Sequence, residues 1–385
     1  MKTWTWLLLA LAGCQPRFIP DAGYRALVER DFKERQAMLP GDLFAVFDAP
    51  MTTREREAMQ FLYAYSPLVD LATLDGTFFL ENTRAAFRAR EEMPWGKEIP
   101  DEIFRHFVLP PRGGKETLDT ARLAFYRELK ERAGRHATIE EAALEVNHWC
   151  HEKVIYRPTN ARAMSPLATA SVAYGRCGEE SIFALAALRA VCIPARQVYT
   201  PRWAHCDDNH AWIEVWTGGA WKYLGACEPE PRLDIAWFTL PVQRAVYVEA
   251  EVFGRYEGEE IVLADGSGSK VNVTARYTRA RPARVRVIDR QGHPVAGARV
   301  EYRVFNYGEF YPVVTLRADE RGESRLTLGE GDLLVWASHA GRYGFAKLPA
   351  DAPGALTLTL DKDVAATYAY TYDLVPPAES PVGAL

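Results

Sequence analysis

Ala173-Tyr174-Gly175-Arg176-Cys177-Gly178-Glu179-Glu180-Ser181, followed by an Ala/Leu-rich run from Ile182 to Val191, is the stretch that decides how this chain is read. Gly175 and Gly178 bracket the cysteine, and Ile182, Leu185, Ala186 and Leu188 recur at helical spacing. Pro194 marks the stop. Cys177 therefore stands at a turn-to-helix junction. There the helix dipole and the free N–H groups favour a thiolate, and the same amides can serve as an oxyanion hole. Glu179 and Glu180 lie in the first turn and partly offset that positive field.

A thiol nucleophile needs a base, and the base needs an orienting group. Asp208-Asn209-His210-Ala211-Trp212-Ile213-Glu214-Val215-Trp216 sets a histidine at the opening of an apolar strand. After Thr217-Gly218-Gly219-Ala220 comes Trp221-Lys222-Tyr223-Leu224-Gly225-Ala226-Cys227-Glu228-Pro229-Glu230. The order is cysteine at a helix start, histidine on one strand, acid at the end of the next. With Thr217–Ala220 closing a hairpin, Trp216 faces Trp221, and counting back sets His210 opposite Cys227. Glu228 falls one residue past that pair, so a one-residue bulge is needed to turn it toward His210. Glu228 is the favoured acid; Asp208 and Glu230 are its rivals. Asn147 or Trp149, on the preceding helix, could donate to an oxyanion, with core packing the better assignment for Trp149.

Over roughly residues 140–240 these motifs resemble the transglutaminase-like superfamily, in particular its exported bacterial branch. The resemblance implies an α+β, papain-like core and attack on amide carbonyls by a Cys–His–Asp triad. It assigns Cys177 as nucleophile, His210 as general base and acid, and Glu228 to the acid position. Two departures stand out. The family's Asp-Pro is here Glu228-Pro229, several residues later after Trp221 than is usual. The helix that ends in Ile193-Pro194 carries Cys192 where the family commonly has glycine, and a non-glycine left-handed cap costs about 1 kcal/mol. Peptide hydrolysis is the first expectation. The alternatives are acyl transfer to amines and deglycosylation of the peptide N-glycanase kind, which the Gly-Arg-Cys-Gly-Glu run also resembles. The rival from another class is a non-catalytic surface binding protein.

The N-terminus suggests where such chemistry takes place. Met1-Lys2-Thr3 precedes an apolar run to Gly13, too short to span a bilayer, which reads as a signal peptide of residues 1–13. Leu11-Ala12-Gly13-Cys14 resembles the lipobox of bacterial lipoproteins, implying diacylglycerol on Cys14 and a stable lipid anchor. With Gln15 after the cysteine, the expected place is the cell envelope, facing outward, on the outer membrane. Five cysteines remain, Cys150, Cys177, Cys192, Cys206 and Cys227; an odd number suggests a free thiol beside up to two bridges.

Along the rest of the chain, residues 14–136 read as a helical region and 137–240 as the catalytic core. Residues 241–281 read as a connector carrying Gly254, Gly258, Gly266 and Gly268. Residues 282–365 show short strands separated by turn signals every 8 to 12 residues or so, the pattern of an all-β sandwich. Asp289 to Ala298 resembles the opening of transthyretin-like, carboxypeptidase-regulatory sandwiches, which are usually structural or binding modules. Residues 366–385 read as a disordered tail. Arg276, Arg279, Arg281, Arg284 and Arg286 read as outward residues of a linker and an edge strand, with a polyanion site as the alternative.

Composition bounds the function classes. The 385 residues are 48% hydrophobic and 25% charged, with net charge −5, which argues against a protein that lives on nucleic-acid phosphates. The expected partners are a protein, peptide or glycopeptide substrate and the membrane that holds the lipid. His148, Cys150 and His151, or His205, Cys206, Asp208 and His210, are metal-ligand types, but C-x-x-C and H-E-x-x-H spacings are missing, so no metal and no cofactor are expected.

Overall fold

Asp21 opens the first helix, its carboxylate accepting the Tyr24 N–H at 2.6 Å. The computed structural model describes residues 17–39, 41–158, 164–351 and 355–379, so the expected signal peptide and Cys14 lie outside the described residues. Two compact units divide at Arg84/Ala85. The first holds α1 (Ala22–Met38), α2 (Thr53–Tyr65), α3 (Leu68–Thr73) and the start of α4 (Gly76–Glu92). A capping box opens α2, Thr52 accepting the Glu55 N–H while Glu55 accepts that of Thr52. Among the described residues no helix is long and apolar enough to cross a membrane.

The second unit continues with α5 (Asp101–Phe107), α6 (Ala121–Ala133), α7 (Ile139–Lys153), β1 (Ile155–Tyr156), α8 (Pro166–Val172), β2 (Tyr174–Gly175) and α9 (Cys177–Ala190). It is an α+β core built around α9, which is buried on nearly every side from Glu179 to Ala190, as its Ala/Leu composition requires. Against it pack α6 and α7 on one side and β3 (Ala195–Thr200) and β4 (His210–Thr217) on the other. Phe183 of α9 stacks on Trp149 at 5.5 Å, with Phe125 edge-on at 5.1 Å. Trp149 is thus a core residue, as the sequence suggests.

The sheet has six strands in the order β5 (Ala220–Leu224), β4, β3, β6 (Glu249–Phe253), β8 (Gly268–Asn272), β7 (Glu260–Ala264), with the short α10 (Thr239–Val242) between β5 and β6. Gly218 and Gly219, both at positive φ, close the β4–β5 hairpin with Trp216 opposite Trp221. The segment 241–281, read from sequence as a connector, contributes three strands of this sheet. Gly268 serves close strand approach, a Cβ there standing 2.7 Å from the Val252 carbonyl oxygen, while Gly254 and Gly258 take positive φ. A buried ion network ties the sheet together, with Arg196 bonded to Glu214 at 2.7 Å and to Glu259 at 2.6 Å, and the Tyr277 hydroxyl donating to Glu214.

Then come β9 (Ala280–Ile288), β10 (Arg299–Asn306), β11 (Glu309–Arg317), β12 (Glu323–Gly329), β13 (Leu333–His339), β14 (Arg342–Leu348), β15 (Ala355–Thr359) and β16 (Lys362–Asp363). They form sheets of order β11-β10-β13-β14-β16 and β12-β9-β15 over a shared core of Val285, Val287, Val300, Tyr302, Val335 and Leu358. The β9–β15 pair is parallel, a departure from an all-antiparallel sandwich. β9 is the middle strand of its sheet, not an edge. Its Arg284 pairs with Glu323, Arg276 pairs with Glu259 and Arg279 with Glu330. Residues 366–379 form no regular element, yet they are docked rather than loose. Asp332 and Val375 exchange hydrogen bonds at 2.9 Å, and Tyr370 meets Phe345 edge-on at 4.9 Å.

Candidate active site

Cys177 is the first residue of α9, half-buried behind β2. The preceding Arg176 holds the turn, its N–H donating to Glu179 Oε2 at 3.0 Å and its guanidinium to the same carboxylate at 3.2 Å. Gly175 is required by this close return, because a Cβ there would sit 2.7 Å from that of Glu179. Gly178 instead faces open space, with nothing within 4 Å of an added Cβ. The Cys177 sulfur receives the N–H groups of Gly178 and of Ala211, the residue after His210. That contact brings the helix start and the opening of β4 together.

Burial nevertheless dominates the thiol's electrostatics. It lifts the Cys177 pKa, and the nearby Glu180 charge adds to it against the two amides and Arg176. The thiolate that the helix dipole alone predicts is therefore not the resting form. His210 is 7% exposed and boxed by aromatic rings, Trp237 and Phe238 each at 4.8 Å and Trp212 at 5.8 Å. Burial pushes its pKa down to about 4. The pair rests as thiol and neutral imidazole, with His210 Nε2 buried and without a hydrogen-bond partner.

Strand pairing stops at Ile213–Leu224, short of the His210–Cys227 pairing that counting back gives. The chain leaves β5 through Gly225, Cys227 takes φ +60°, and the Glu228 N–H returns to the Gly225 carbonyl at 3.2 Å. A tight turn stands where a bulge is expected. Glu228 folds its carboxyl over Gly225, where an added Cβ would collide with Oε2. Its Oε1 accepts the Trp237 Nε1–H at 3.1 Å, while Oε2 is buried without a partner. Glu228 and His210 thus share Trp237 but are not bonded to each other. Asp208 is exposed and spends its carboxylate on the Asn209 N–H. Glu230 is felt only through its charge on Glu228.

Three further residues escape a reading by motif. Asn147, considered from sequence as an oxyanion donor, instead clamps the acid turn. Its Nδ2 donates to the carbonyls of Gly225 (2.9 Å) and Glu228 (3.1 Å), and its Oδ1 accepts the Cys227 N–H at 2.8 Å. One turn along α7, His151 Nδ1 meets the Cys227 carbonyl at 2.9 Å. Glu180, 2% exposed, has its carboxyl beside Glu228, and burial together with that charge pushes its pKa up to about 8. The helical spacing from Asn147 to His151 is the only sequence signal for the clamp.

All five cysteines in the described residues are free thiols, against the expectation of up to two bridges. Cys150 and Cys227 are buried and hydrogen-bonded thiol to thiol. Cys192 takes the left-handed cap at φ +59°, held by Trp95 donating to its carbonyl at 3.0 Å. Among the described residues no three His, Cys, Asp or Glu side chains converge as metal ligands.

Residues 127–226 match the family model of the transglutaminase-like superfamily. The chain carries a transglutaminase-like core. Such a core is that of a cysteine-dependent enzyme family, and the matched range contains Cys177 and His210. Three solved structures are also similar. A proposed cysteine protease from Cytophaga hutchinsonii aligns at 17% identity and TM-score 0.27, covering 43% of this chain and 62% of that one. Red sea bream transglutaminase aligns at 10% identity and TM-score 0.31, covering 68% and 66%. A Streptococcal ancillary pilin aligns at 9% identity and TM-score 0.18, covering 43% and 61%. Each alignment thus spans less than two thirds of the solved chain. No curated protein matches this sequence.

Proposed function

We propose that this chain is an exported, lipid-anchored thiol hydrolase that cleaves peptide amide bonds. The observation that supports it best is the Cys177 sulfur at the start of α9, beside the amide that follows His210. In this reading His210 Nε2 takes the thiol proton as sulfur attacks the carbonyl, and the first amides of α9 hold the oxyanion. The C–N bond breaks, the amine leaves with the proton from His210, and water hydrolyses the thioester. Glu228 serves as the acid that orients the imidazole. The anchor is diacylglycerol on Cys14, with the enzyme facing outward from the envelope.

A peptide and glycopeptide library assayed with wild type and Cys177→Ala tests the chemistry. Amide cleavage that disappears in Cys177→Ala supports it, and cleavage that survives sinks it. Release of glycans alone would move the reading to deglycosylation. Mass spectrometry of the membrane fraction tests the anchor: acyl mass on Cys14 supports it, and an intact Met1–Gly13 segment on membrane-bound protein sinks it.

A further inference from the structure

Beside Cys177, a pocket of about 560 Å³ is lined by His148, His151, Tyr156, Glu180, Cys227 and Glu228, with Pro229. Two carboxyls form its floor. Glu180 Oε1 and Glu228 Oε2 are both buried and neither has a hydrogen-bond partner. Buried carboxylate oxygens without donors are costly, and two facing carboxyls make the site worse for each other. Arg176 does not relieve them, its guanidinium being held by Glu179. Among the described residues no basic side chain lines the pocket except the two histidines at its exposed rim. Tyr156, more than half exposed, adds an aromatic wall.

We infer that this pocket is a subsite for a protonated amine or guanidinium carried by the substrate. A cation donating N–H bonds to Glu180 Oε1 and Glu228 Oε2 would supply both missing donors at once, and charge-assisted bonds of this kind are the stronger ones. Tyr156 could lie against its face. A bound cation favours the ionised form of both carboxyls, Glu180 giving up the proton that burial holds there in the free protein. The amine stays protonated, with its lone pair unavailable for attack on an acyl-enzyme. The group is therefore one that is recognised, not one that reacts. The inference deepens the proposed function: the hydrolase prefers amides that carry a basic side chain near the bond cleaved.

The test separates the subsite from the thiol chemistry by using the Cys177→Ala full chain. Calorimetric titration at pH 8.5 compares n-butylammonium and n-butylguanidinium with 1-pentanol, a neutral chain of similar size. Either cation should bind at least tenfold more tightly than the alcohol. Glu180→Gln, isosteric and checked for folding by circular dichroism, should weaken the cation at least tenfold, and Glu228→Gln should do the same. Equal affinity for cation and alcohol overturns the inference, as does an absence of cation binding at millimolar concentration. So does cation binding unchanged in the folded variants. If one variant fails to fold, the other and the comparison with the alcohol decide. Amide cleavage by wild type and by Cys177→Ala is measured separately. Cleavage that survives in Cys177→Ala would remove the hydrolase reading and leave the cation site standing.

Discussion

Trp237 donates its indole N–H to Glu228 Oε1 at 3.1 Å, and the same ring meets His210 edge-on at 4.8 Å. The indole therefore contacts both the acid and the imidazole, and Glu228 keeps Oε2 without a partner. Glu228→Gln keeps an oxygen for the indole but removes the charge that would stabilise an imidazolium. On substrates without a basic side chain, its turnover should fall by about 10²–10⁴-fold with binding nearly intact, as loss of a base-orienting carboxylate does. Trp237→Phe keeps the ring and frees the carboxylate, so its effect should be smaller. An unchanged rate in Glu228→Gln, with a collapse in Asp208→Asn, would move the role to Asp208.

The neutral resting pair predicts a distinctive response to pH. Cys177 is lifted by burial and His210 is pushed down to about 4, so neither is charged between pH 5 and 7. Iodoacetamide should label Cys177 no faster than unstructured cysteine at pH 6, and the rate should climb only above the usual thiol range. The acid limb of kcat/KM should fall near pH 4, where the imidazole protonates. Cys177→Ala and His210→Ala should each lower turnover by roughly 10³-fold or more, because nucleophile and base act as one unit. Rapid labelling at pH 6 would show an ion pair instead.

Much of this architecture is legible in the sequence where local chemistry and tertiary structure agree. Gly218-Gly219 permits only a tight hairpin, which fixes Trp216 against Trp221. The turn signals after Pro282 mark the succession of short strands that the sandwich contains. The failures share a cause: each depends on a partner distant in sequence. Gly268 reads as irregular because its reason is the strand lying across it. The parallel register of β15 with β9 and the docking of Val375 on Asp332 have no local signature. At the site, the helix dipole is visible from Cys177 and its flanking glycines, but burial, which outweighs it, comes from the whole core.

Asn147 offers a prediction about the clamp. Its amide makes all three of its bonds to the Gly225–Glu228 turn, and it is 2% exposed. Asn147→Ala leaves buried backbone groups without partners, each costing about 1–3 kcal/mol. Unfolding in urea should show a loss in that range or somewhat above it. Turnover should fall further than the stability loss explains, because Glu228 is the last residue of the released turn. A variant as active as wild type would mean that the turn holds itself.

Glu180 makes stability itself depend on pH. Its folded pKa is raised from an ordinary 4.5 to about 8, so the folded state holds this proton more tightly than the unfolded chain does. The stabilisation is fully present below pH 4.5 and is lost as pH rises through 8. His210 acts in the opposite sense: its folded pKa lies near 4 against an ordinary 6.5, so its contribution is present above 6.5 and lost as pH falls toward 4. Between about 6.5 and 8, then, the Glu180 slope stands without that opposition. At about 1.4 kcal/mol per pH unit, wild type should lose roughly 2 kcal/mol over this window relative to Glu180→Gln, which carries no titrating group there. The comparison is made as a difference between the two proteins at each pH, so that every other titration common to both cancels. A difference that grows with pH matches a carboxyl protonated in the fold. A difference flat from pH 6.5 to 8 would mean that Glu180 is already ionised at neutrality, with a donor satisfying its buried oxygen.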